Sequence, residues 1–164
     1  MILSVVVLSL VTAQRLGELV LASRNTQRLR VRGAIEVGAG HYPFIVALHA
    51  AWLIGLWFLA WDRPLSLWLL MLFIGLQAAR VWVIATLGGR WTTRIIILPG
   101  EPLVRRGPYR LVSHPNYLVV AAEILVLPLA FGLEWYALIF SLLNAAMMTV
   151  RISVETQGLR AALR

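Results

Sequence analysis

Five apolar stretches, each about as long as a lipid bilayer is thick, constrain this chain more than any other feature. They cover residues 2–22, 43–61, 65–87, 117–133 and 135–152. A helix needs about 20 mostly apolar residues to cross the hydrocarbon core, and a backbone inside lipid must satisfy its own hydrogen bonds. The sequence therefore predicts an all-α fold, a polytopic membrane helix bundle with five transmembrane helices. No linker or repeat divides it, so we expect a single domain.

Arginine is unevenly distributed among the segments that connect these spans. The stretches that follow the first, third and fifth spans are rich in arginine, whereas the other connections contain only Arg63. With five spans, all arginine-rich segments fall on one side, and the positive-inside rule makes that side cytoplasmic. We therefore expect the N-terminus outside and the C-terminus in the cytoplasm. The arginines on the cytoplasmic side are Arg24, Arg28, Arg30, Arg32, Arg90, Arg94, Arg105, Arg106, Arg110, Arg151, Arg160 and Arg164.

Composition argues against several classes of function. The net charge is +8, but a chain that is 60% hydrophobic has no room for a soluble basic domain, so no nucleic-acid partner is expected. We interpret the positive charge as a signal at the membrane surface. With no cysteine and three scattered histidines, no metal site is expected either.

Charged side chains also occur inside the predicted spans, where insertion costs about 2.5–3.5 kcal/mol at the helix centre. Arg15 and Glu18 in the first span, and Gln77 and Arg80 in the third, are three residues apart and share a helix face. We interpret both pairs as interhelical clasps or snorkelling side chains. For Glu123, in the fourth span, a structural role and a role at the substrate remain equally open.

The connection of residues 88–116 is too long for a simple turn and is the predicted place of function. Near its end, Pro115 suits the first turn of the fourth helix, and Ser113 is then the predicted N-cap. His114 and Tyr117 follow three residues apart. A helix start offers free N–H groups and a positive dipole end, which suit a carboxylate or another anion.

Three motifs in this order resemble those of the isoprenylcysteine carboxyl methyltransferase family of small membrane enzymes. Gly107-Pro108-Tyr109 matches the family's Gly-x-Tyr, and His114-Pro115-Asn116-Tyr117 matches its His-Pro-x-Tyr at the start of the penultimate span. Arg151 and Glu155, at an i, i+4 spacing that predicts a shared helix face at the end of the fifth span, match its Arg-x-x-x-Glu after the last span. The combination is specific, and the resemblance covers residues 77–155.

Upstream, Arg24-Asn25, Gly33-x-x-Glu36 and His41-Tyr42 resemble a bacterial branch of that family. Members of the branch methylate hydroxyls of phenolic lipids and alkylpyrones, so the resemblance implies a protein of the bacterial inner membrane. This chain departs from eukaryotic members at Glu101, where they have histidine, and at Arg94, where they have glutamine.

The resemblance implies S-adenosylmethionine as cofactor, bound within residues 88–164. It implies Arg151 as the catalytic residue facing the acceptor. Glu123 is a second candidate substrate residue, because its charge lies inside a predicted span. Tyr109 and Tyr117 offer aromatic faces to the adenine or the sulfonium. The implied cofactor contacts are Leu103, Val104, Tyr109, His114, Pro115, Asn116, Tyr117 and Glu155.

The acceptor is expected to be a lipid, or a lipidated small molecule or peptide, that enters from the bilayer. A prenylcysteine carboxylate is already ionised at pH 7, whereas a phenol has a pKa near 10 and needs a base. His114 and Glu123 are candidate bases, and the sequence leaves the base unassigned. A phenolic or pyrone lipid hydroxyl and a prenylcysteine carboxylate both remain open as acceptors.

Two other functions fit a small membrane helix bundle. One is a membrane NADPH-dependent reductase of the sterol-reductase type, and the other is a small non-enzymatic transporter or assembly subunit. A transporter predicts polar residues along a path through the midplane. The polar residues here cluster near the cytoplasmic ends of the spans, which favours catalysis at the interface.

Overall fold

The computed structural model describes residues 1–162; Arg164, predicted on the arginine-rich side, lies outside the described residues. Within this range the fold is helical, as predicted, and apolar helices form most of it. The helices are α1 (Ile2–Val31), α2 (Tyr42–Ala60), α3 (Leu67–Leu87), α4 (Pro115–Ala130) and α5 (Glu134–Ala162).

Four of these helices, α1, α2, α3 and α5, are long and apolar enough to cross a membrane. The fourth predicted span, 117–133, corresponds to α4, which has only 16 residues and starts and ends two or three residues earlier. At 1.5 Å per residue α4 is about 24 Å long, shorter than the roughly 30 Å of a typical hydrocarbon core. The fold is therefore a bundle of four or five apolar helices, and the count of five spans stays a prediction.

Two helices continue well beyond the apolar segments that predicted them. α1 runs to Val31 and ends in a turn that carries Arg28 and Arg30. α5 runs to Ala162, so Arg151 and Glu155 lie on one uninterrupted helix. The hydropathy pattern indicates only where the apolar part of a helix ends. The helices themselves continue as long as their backbone hydrogen bonds do.

The two ends of the bundle differ in chemistry. At one end, the Ser66 N–H donates to the Ala130 carbonyl (2.8 Å), and the Ser4 hydroxyl donates to the Arg63 carbonyl (2.6 Å). There Gly132, at φ 68°, closes α4 and allows the tight turn into α5. Exposed Trp61, Trp68 and Trp135 surround this end. Such a ring is typical of a membrane interface.

The opposite end, which we call the arginine-rich end, contains residues 23–42, 88–116 and 151–162. Two short strands, β1 (Ile35–Val37) and β2 (Ile95–Ile97), pair there as an antiparallel ribbon, with Glu36 opposite Ile96. The sequence did not predict this ribbon. It ties the segment after α1 to the long segment after α3, so both predicted connections form one cap over the bundle.

The core lies between α1, α2, α3, α4 and the start of α5. Leu8, Leu56 and Leu127 have no exposed surface, and Trp52 is nearly as buried. Outward faces are apolar too, with Phe58 78% and Trp68 75% exposed. An apolar outer surface of this extent indicates lipid as the surrounding solvent.

Candidate active site

Two arginines and two glutamates form a buried ion network between α1, α3 and α4. Arg80 donates to Glu18 (2.5 Å) and to Glu123 (2.9 Å). Arg15 likewise donates to Glu18 (3.0 Å) and Glu123 (2.8 Å), and Gln77 donates to Glu123 (2.8 Å). The geometry matches the interhelical-clasp interpretation of both pairs. The charges of the network sum to zero, as a buried cluster requires.

A cavity of about 760 Å³, the outer cavity, lies at the arginine-rich end between the segment after α3, the start of α4 and the second half of α5. Pro115 is not part of the lining; it is the buried first residue of α4, and its cofactor contact stays a prediction. The lining brings together seven of the predicted cofactor residues: Leu103, Val104, Tyr109, His114, Asn116, Tyr117 and Glu155.

The start of α4 differs in detail from the prediction. Pro115 is its first residue, as predicted, but His114 rather than Ser113 is the N-cap, and no side chain caps the helix. The Tyr117 N–H already donates to the His114 carbonyl (3.1 Å). Because proline has no N–H, the first turn leaves only the Asn116 N–H for an anion. The dipole argument for a carboxylate site is therefore weaker than the sequence indicated.

Tyr117 connects the two polar residues of α5 through its hydroxyl. It donates to Glu155 Oε2 (2.6 Å) and accepts from Arg151 Nε (2.9 Å). Arg151 also donates to the Thr93 carbonyl (2.8 Å), which fixes the segment after α3 against α5. Arg151 is 6% exposed, and its Nη1 has no hydrogen-bond partner among the described residues. The i, i+4 pair predicted from sequence thus meets the His-Pro-x-Tyr motif in space.

His114 and Tyr109 complete the polar wall beside Glu155. The His114 ring stacks parallel to the Tyr117 ring, with centroids 5.1 Å apart, and its Nδ1 lies 3.7 Å from Glu155 Oε2. Burial, assisted by the negative charge of Glu155, raises the pKa of Tyr109 to about 12. Tyr109 is therefore a neutral hydrogen-bond donor with an aromatic face at physiological pH.

A second cavity, of about 300 Å³, lies among the apolar helices, and we call it the inner cavity. Most of its wall is aliphatic or aromatic, including Leu16, Ile45 and Met148. Arg151 lines both cavities, as its predicted position facing a substrate requires. Glu123 lines neither cavity and is wholly buried within the ion network, so its predicted contact with substrate stays a prediction.

The two cavities share five lining residues: Trp91, Thr92, Asn116, Tyr117 and Arg151. At this junction, Asn116 Oδ1 and Trp91 Nε1 are buried without a hydrogen-bond partner in the described part of the chain. A buried polar atom without a partner costs about 1–3 kcal/mol. The junction residues therefore contain one unpaired acceptor and one unpaired donor.

Sequence reasoning missed the residues that the segment after α3 contributes. Trp91 and Thr93 were not singled out, although they follow Gly88-Gly89 in the connection predicted to be functional. Tyr42 was noted only as part of the resemblance, yet its hydroxyl lies 2.9 Å from Thr93 Oγ1. Arg94 stacks over the Tyr42 ring (4.1 Å), which gives the departure from the family's glutamine a structural role.

Comparison with known proteins agrees with this site. The model of the isoprenylcysteine carboxyl methyltransferase (ICMT) family matches residues 68–161, which include both cavities' polar residues on α4 and α5. The chain belongs to this family. It is also 36% identical over 158 residues to a Bacillus subtilis (strain 168) protein named Uncharacterized protein YpbQ, covering 93% of this chain and 94% of that protein. No solved structure matches this chain significantly.

Membership in the ICMT family makes this chain a membrane protein of a methyltransferase family. Methyltransferases of the family use S-adenosylmethionine. The family match favours methyl transfer over the reductase and over the non-enzymatic subunit. The substrate is not fixed by the comparison, because the relative's name states none.

Proposed function

We propose that this protein is an S-adenosylmethionine-dependent O-methyltransferase that methylates a lipidic acceptor at the membrane interface. The observation that carries the proposal is the junction of a polar outer cavity and an apolar inner cavity at Tyr117 and Arg151. A methyl transfer between a water-soluble donor and a lipid needs two such compartments that meet at the reacting atoms.

The outer cavity fits the methyl donor in its chemistry. S-adenosylmethionine supplies an electrophilic methyl group on a positively charged sulfur. The Glu155 carboxylate suits its ammonium or its ribose hydroxyls, and the Asn116 oxygen at the junction is free to accept a hydrogen bond. Tyr109 offers an aromatic face of the kind on which adenine stacks. His114 and Asn116 line the same cavity. The His114 ring and the Asn116 N–H suit the carboxylate of S-adenosylmethionine.

The inner cavity fits a lipid tail. Leu16 and Leu19 of α1, and Val46 and Ile54 of α2, line it and are also exposed on the outside of the bundle. The cavity therefore opens sideways between α1 and α2, where lipid surrounds the protein. We propose that the acceptor enters there and presents its polar head to Arg151. Either a phenolic or pyrone hydroxyl or a prenylcysteine carboxylate fits this description.

The arginine distribution supports a cytoplasmic position for the site. The arginine-rich end contains the outer cavity, and the five predicted spans put it on the side opposite the N-terminus. The positive-inside rule then favours the cytoplasm, where the methyl donor is available. We accordingly propose an inner-membrane enzyme with its N-terminus outside.

Calorimetric titration of the detergent-purified protein with S-adenosylmethionine tests the donor site. A hydrogen bond to a charged group contributes about 1.5–3 kcal/mol, so Glu155→Gln is expected to weaken binding at least about tenfold. His114→Ala is expected to weaken it as well. Glu134→Gln is the matched control, since Glu134 is an exposed residue at the opposite end of α5. Unchanged affinity in both site variants contradicts the proposed donor site.

A radiolabelled methyl-transfer assay, with a long-chain alkylphenol and a farnesylcysteine analogue in parallel, tests the reaction. Arg151→Ala is expected to lose transfer while its affinity for S-adenosylmethionine stays within about threefold, because Arg151 Nη1 is the group left free for the acceptor. A loss of donor affinity in this variant moves Arg151 into the donor site. No transfer by the wild type to either acceptor contradicts the proposed function.

A further inference from the structure

The inner cavity contains one histidine, His49, which none of the motifs includes. It lies on α2, and its Nδ1–H donates to the Ile45 carbonyl (2.8 Å) one turn back. A neutral imidazole with a proton on Nδ1 has its lone pair on Nε2. Nε2 has no hydrogen-bond partner among the described residues. The cavity wall therefore includes a basic nitrogen whose tautomer is set by the helix backbone.

His49 lines the same cavity as the residues of the junction. His49 and Tyr42 are seven residues apart on α2, so they share a face and are separated by about 10 Å along the axis. The hydrogen bond from Nδ1 to the Ile45 carbonyl directs that edge of the ring toward the Tyr42 end of α2. That end contacts Thr93, whose carbonyl accepts from Arg151. An acceptor that occupies the inner cavity with its head beside Arg151 is therefore enclosed by a wall that includes His49.

The other ionisable groups on the inner cavity are already engaged. Both Glu18 oxygens accept from guanidinium groups of Arg15 and Arg80, which stabilises the carboxylate and makes it a poor base. Tyr117 donates to Glu155, and Tyr42 is paired with Thr93. Beside His49, the charged or titratable groups that face this cavity are Arg15 and Glu18 of α1, Tyr42 of α2, Arg80 of α3, Tyr117 of α4 and Arg151 of α5.

We infer that His49 is the proton acceptor in the methyl transfer, and that the acceptor is a hydroxyl which is still protonated at neutral pH. This inference rests on the proposed function and narrows its acceptor class. A carboxylate needs no base, so a free imidazole nitrogen in its cavity would have no use. A phenol with a pKa near 10 needs one, and a positioned base contributes about 10²–10⁴-fold.

The step balances with groups that are present. Nε2 of His49 takes the hydroxyl proton, directly or through one water, while the acceptor oxygen forms its bond to the methyl carbon. The methyl–sulfur bond breaks, and its electron pair stays on sulfur. One positive charge passes from the sulfonium to the His49 imidazolium, which returns its proton to water on product release. Arg151 stabilises the negative charge that develops on the oxygen.

Two substitutions at His49 test this role with the full chain in detergent or nanodiscs. His49→Asn keeps a short donor near the Ile45 carbonyl, and His49→Gln places an amide near Nε2; neither can take a proton. With a long-chain alkylphenol we expect kcat at pH 7 to fall at least about 100-fold, with little change in KM or in S-adenosylmethionine affinity. Phe58→Leu, on the lipid-facing side of the same helix, is the control.

The pH profile separates a base from a packing role. In the wild type, kcat for the alkylphenol should fall on the acid side as His49 becomes protonated. In the variants it should instead rise with pH as the phenol itself ionises. Retained activity with an unaltered profile in His49→Gln overturns the inference while leaving the proposed function intact. Methylation of the farnesylcysteine carboxylate alone by the wild type also overturns it.

A measurement without catalysis gives a second test, in which the response is read from the wild-type chain. The chain has three histidines, so ¹⁵N-histidine labelling gives three imidazole spin systems, and the His49→Gln spectrum identifies one. Adding alkylphenol without the methyl donor should shift the Nε2 resonance of His49, because a hydroxyl then donates to it. An unchanged His49 resonance at saturating alkylphenol overturns the inference.

Discussion

Replacing Glu123 by glutamine distinguishes the two roles that the sequence left open for this residue. Its side chain is 1% exposed and accepts from Arg15 (2.8 Å), Arg80 (2.9 Å) and Gln77 (2.8 Å). The change keeps the shape but leaves Arg15 and Arg80 facing the single carboxylate of Glu18. The ion network then has a net charge of +1 in a medium of low dielectric constant.

The expected loss of stability is large because the charges left behind stay buried. Removing one partner of a buried ion pair costs about 3–5 kcal/mol. The retained amide oxygen still accepts one hydrogen bond, so we expect about 3 kcal/mol for Glu123→Gln, at the lower end of that range. Loss of methyl transfer should follow only from loss of folded protein, since Glu123 lines neither cavity.

Equilibrium unfolding in mixed micelles, followed by tryptophan fluorescence and circular dichroism, measures this loss. Glu134→Gln makes the same chemical change at an exposed position and should cost well under about 1 kcal/mol, as surface changes usually do. A Glu123→Gln protein that is as stable as Glu134→Gln, but inactive, refutes the reasoning. That result would place Glu123 at the substrate instead.

Two further perturbations follow from the arginine-rich end and from the core. Burial by itself raises the pKa of Glu36, but hydrogen bonds and charge from Arg94 and Arg30 outweigh it and hold this pKa below the usual 4.5. A lowered folded-state pKa gives stability that is present above the unfolded value and lost as pH falls below it. The thermal midpoint of the wild type should therefore drop more steeply between about pH 5 and pH 3 than that of Glu36→Gln, and parallel curves contradict the pairing. Gly55→Ala should destabilise by about 1–3 kcal/mol, because its Cβ would lie 2.2 Å from the Tyr136 hydroxyl, which donates to the Trp52 carbonyl. In chemical unfolding, Tyr136→Phe should reduce the cost of Gly55→Ala, and a strictly additive double variant argues against the contact.

Local pattern was sufficient for the five α-helices, whereas the grouping of site residues on α4 and α5 came from the family resemblance. Runs of apolar residues predicted every helix of the described bundle, because a spanning backbone has few alternatives. The spacing of Arg151 and Glu155 predicted a shared helix face. Their contact with Tyr117 could be expected only through the family resemblance, since periodicity does not tell which helices are neighbours.

What the sequence missed depends on contacts between distant segments. The strands at 35–37 and 95–97 have three residues each, too short for an alternating pattern to stand out, and they are held by pairing across about 60 positions. Trp91 and Thr93 belong to the site because the Thr93 carbonyl accepts from Arg151, a backbone contact that side-chain patterns do not encode. Ser113 looked like the N-cap by residue type, yet the restricted backbone before Pro115 made His114 the cap.

The Tyr117 hydroxyl has a consequence for the order and affinity of binding. It is one oxygen with a single proton, given to Glu155 on the side of the outer cavity, and it receives a hydrogen bond from Arg151 on the side of the inner one. A ligand that binds Glu155 changes how strongly the Tyr117 oxygen accepts from Arg151. It thereby changes how many N–H groups of Arg151 are available to a second ligand. Thermodynamic linkage then requires reciprocity: the factor by which one ligand alters the affinity of the second equals the factor by which the second alters that of the first.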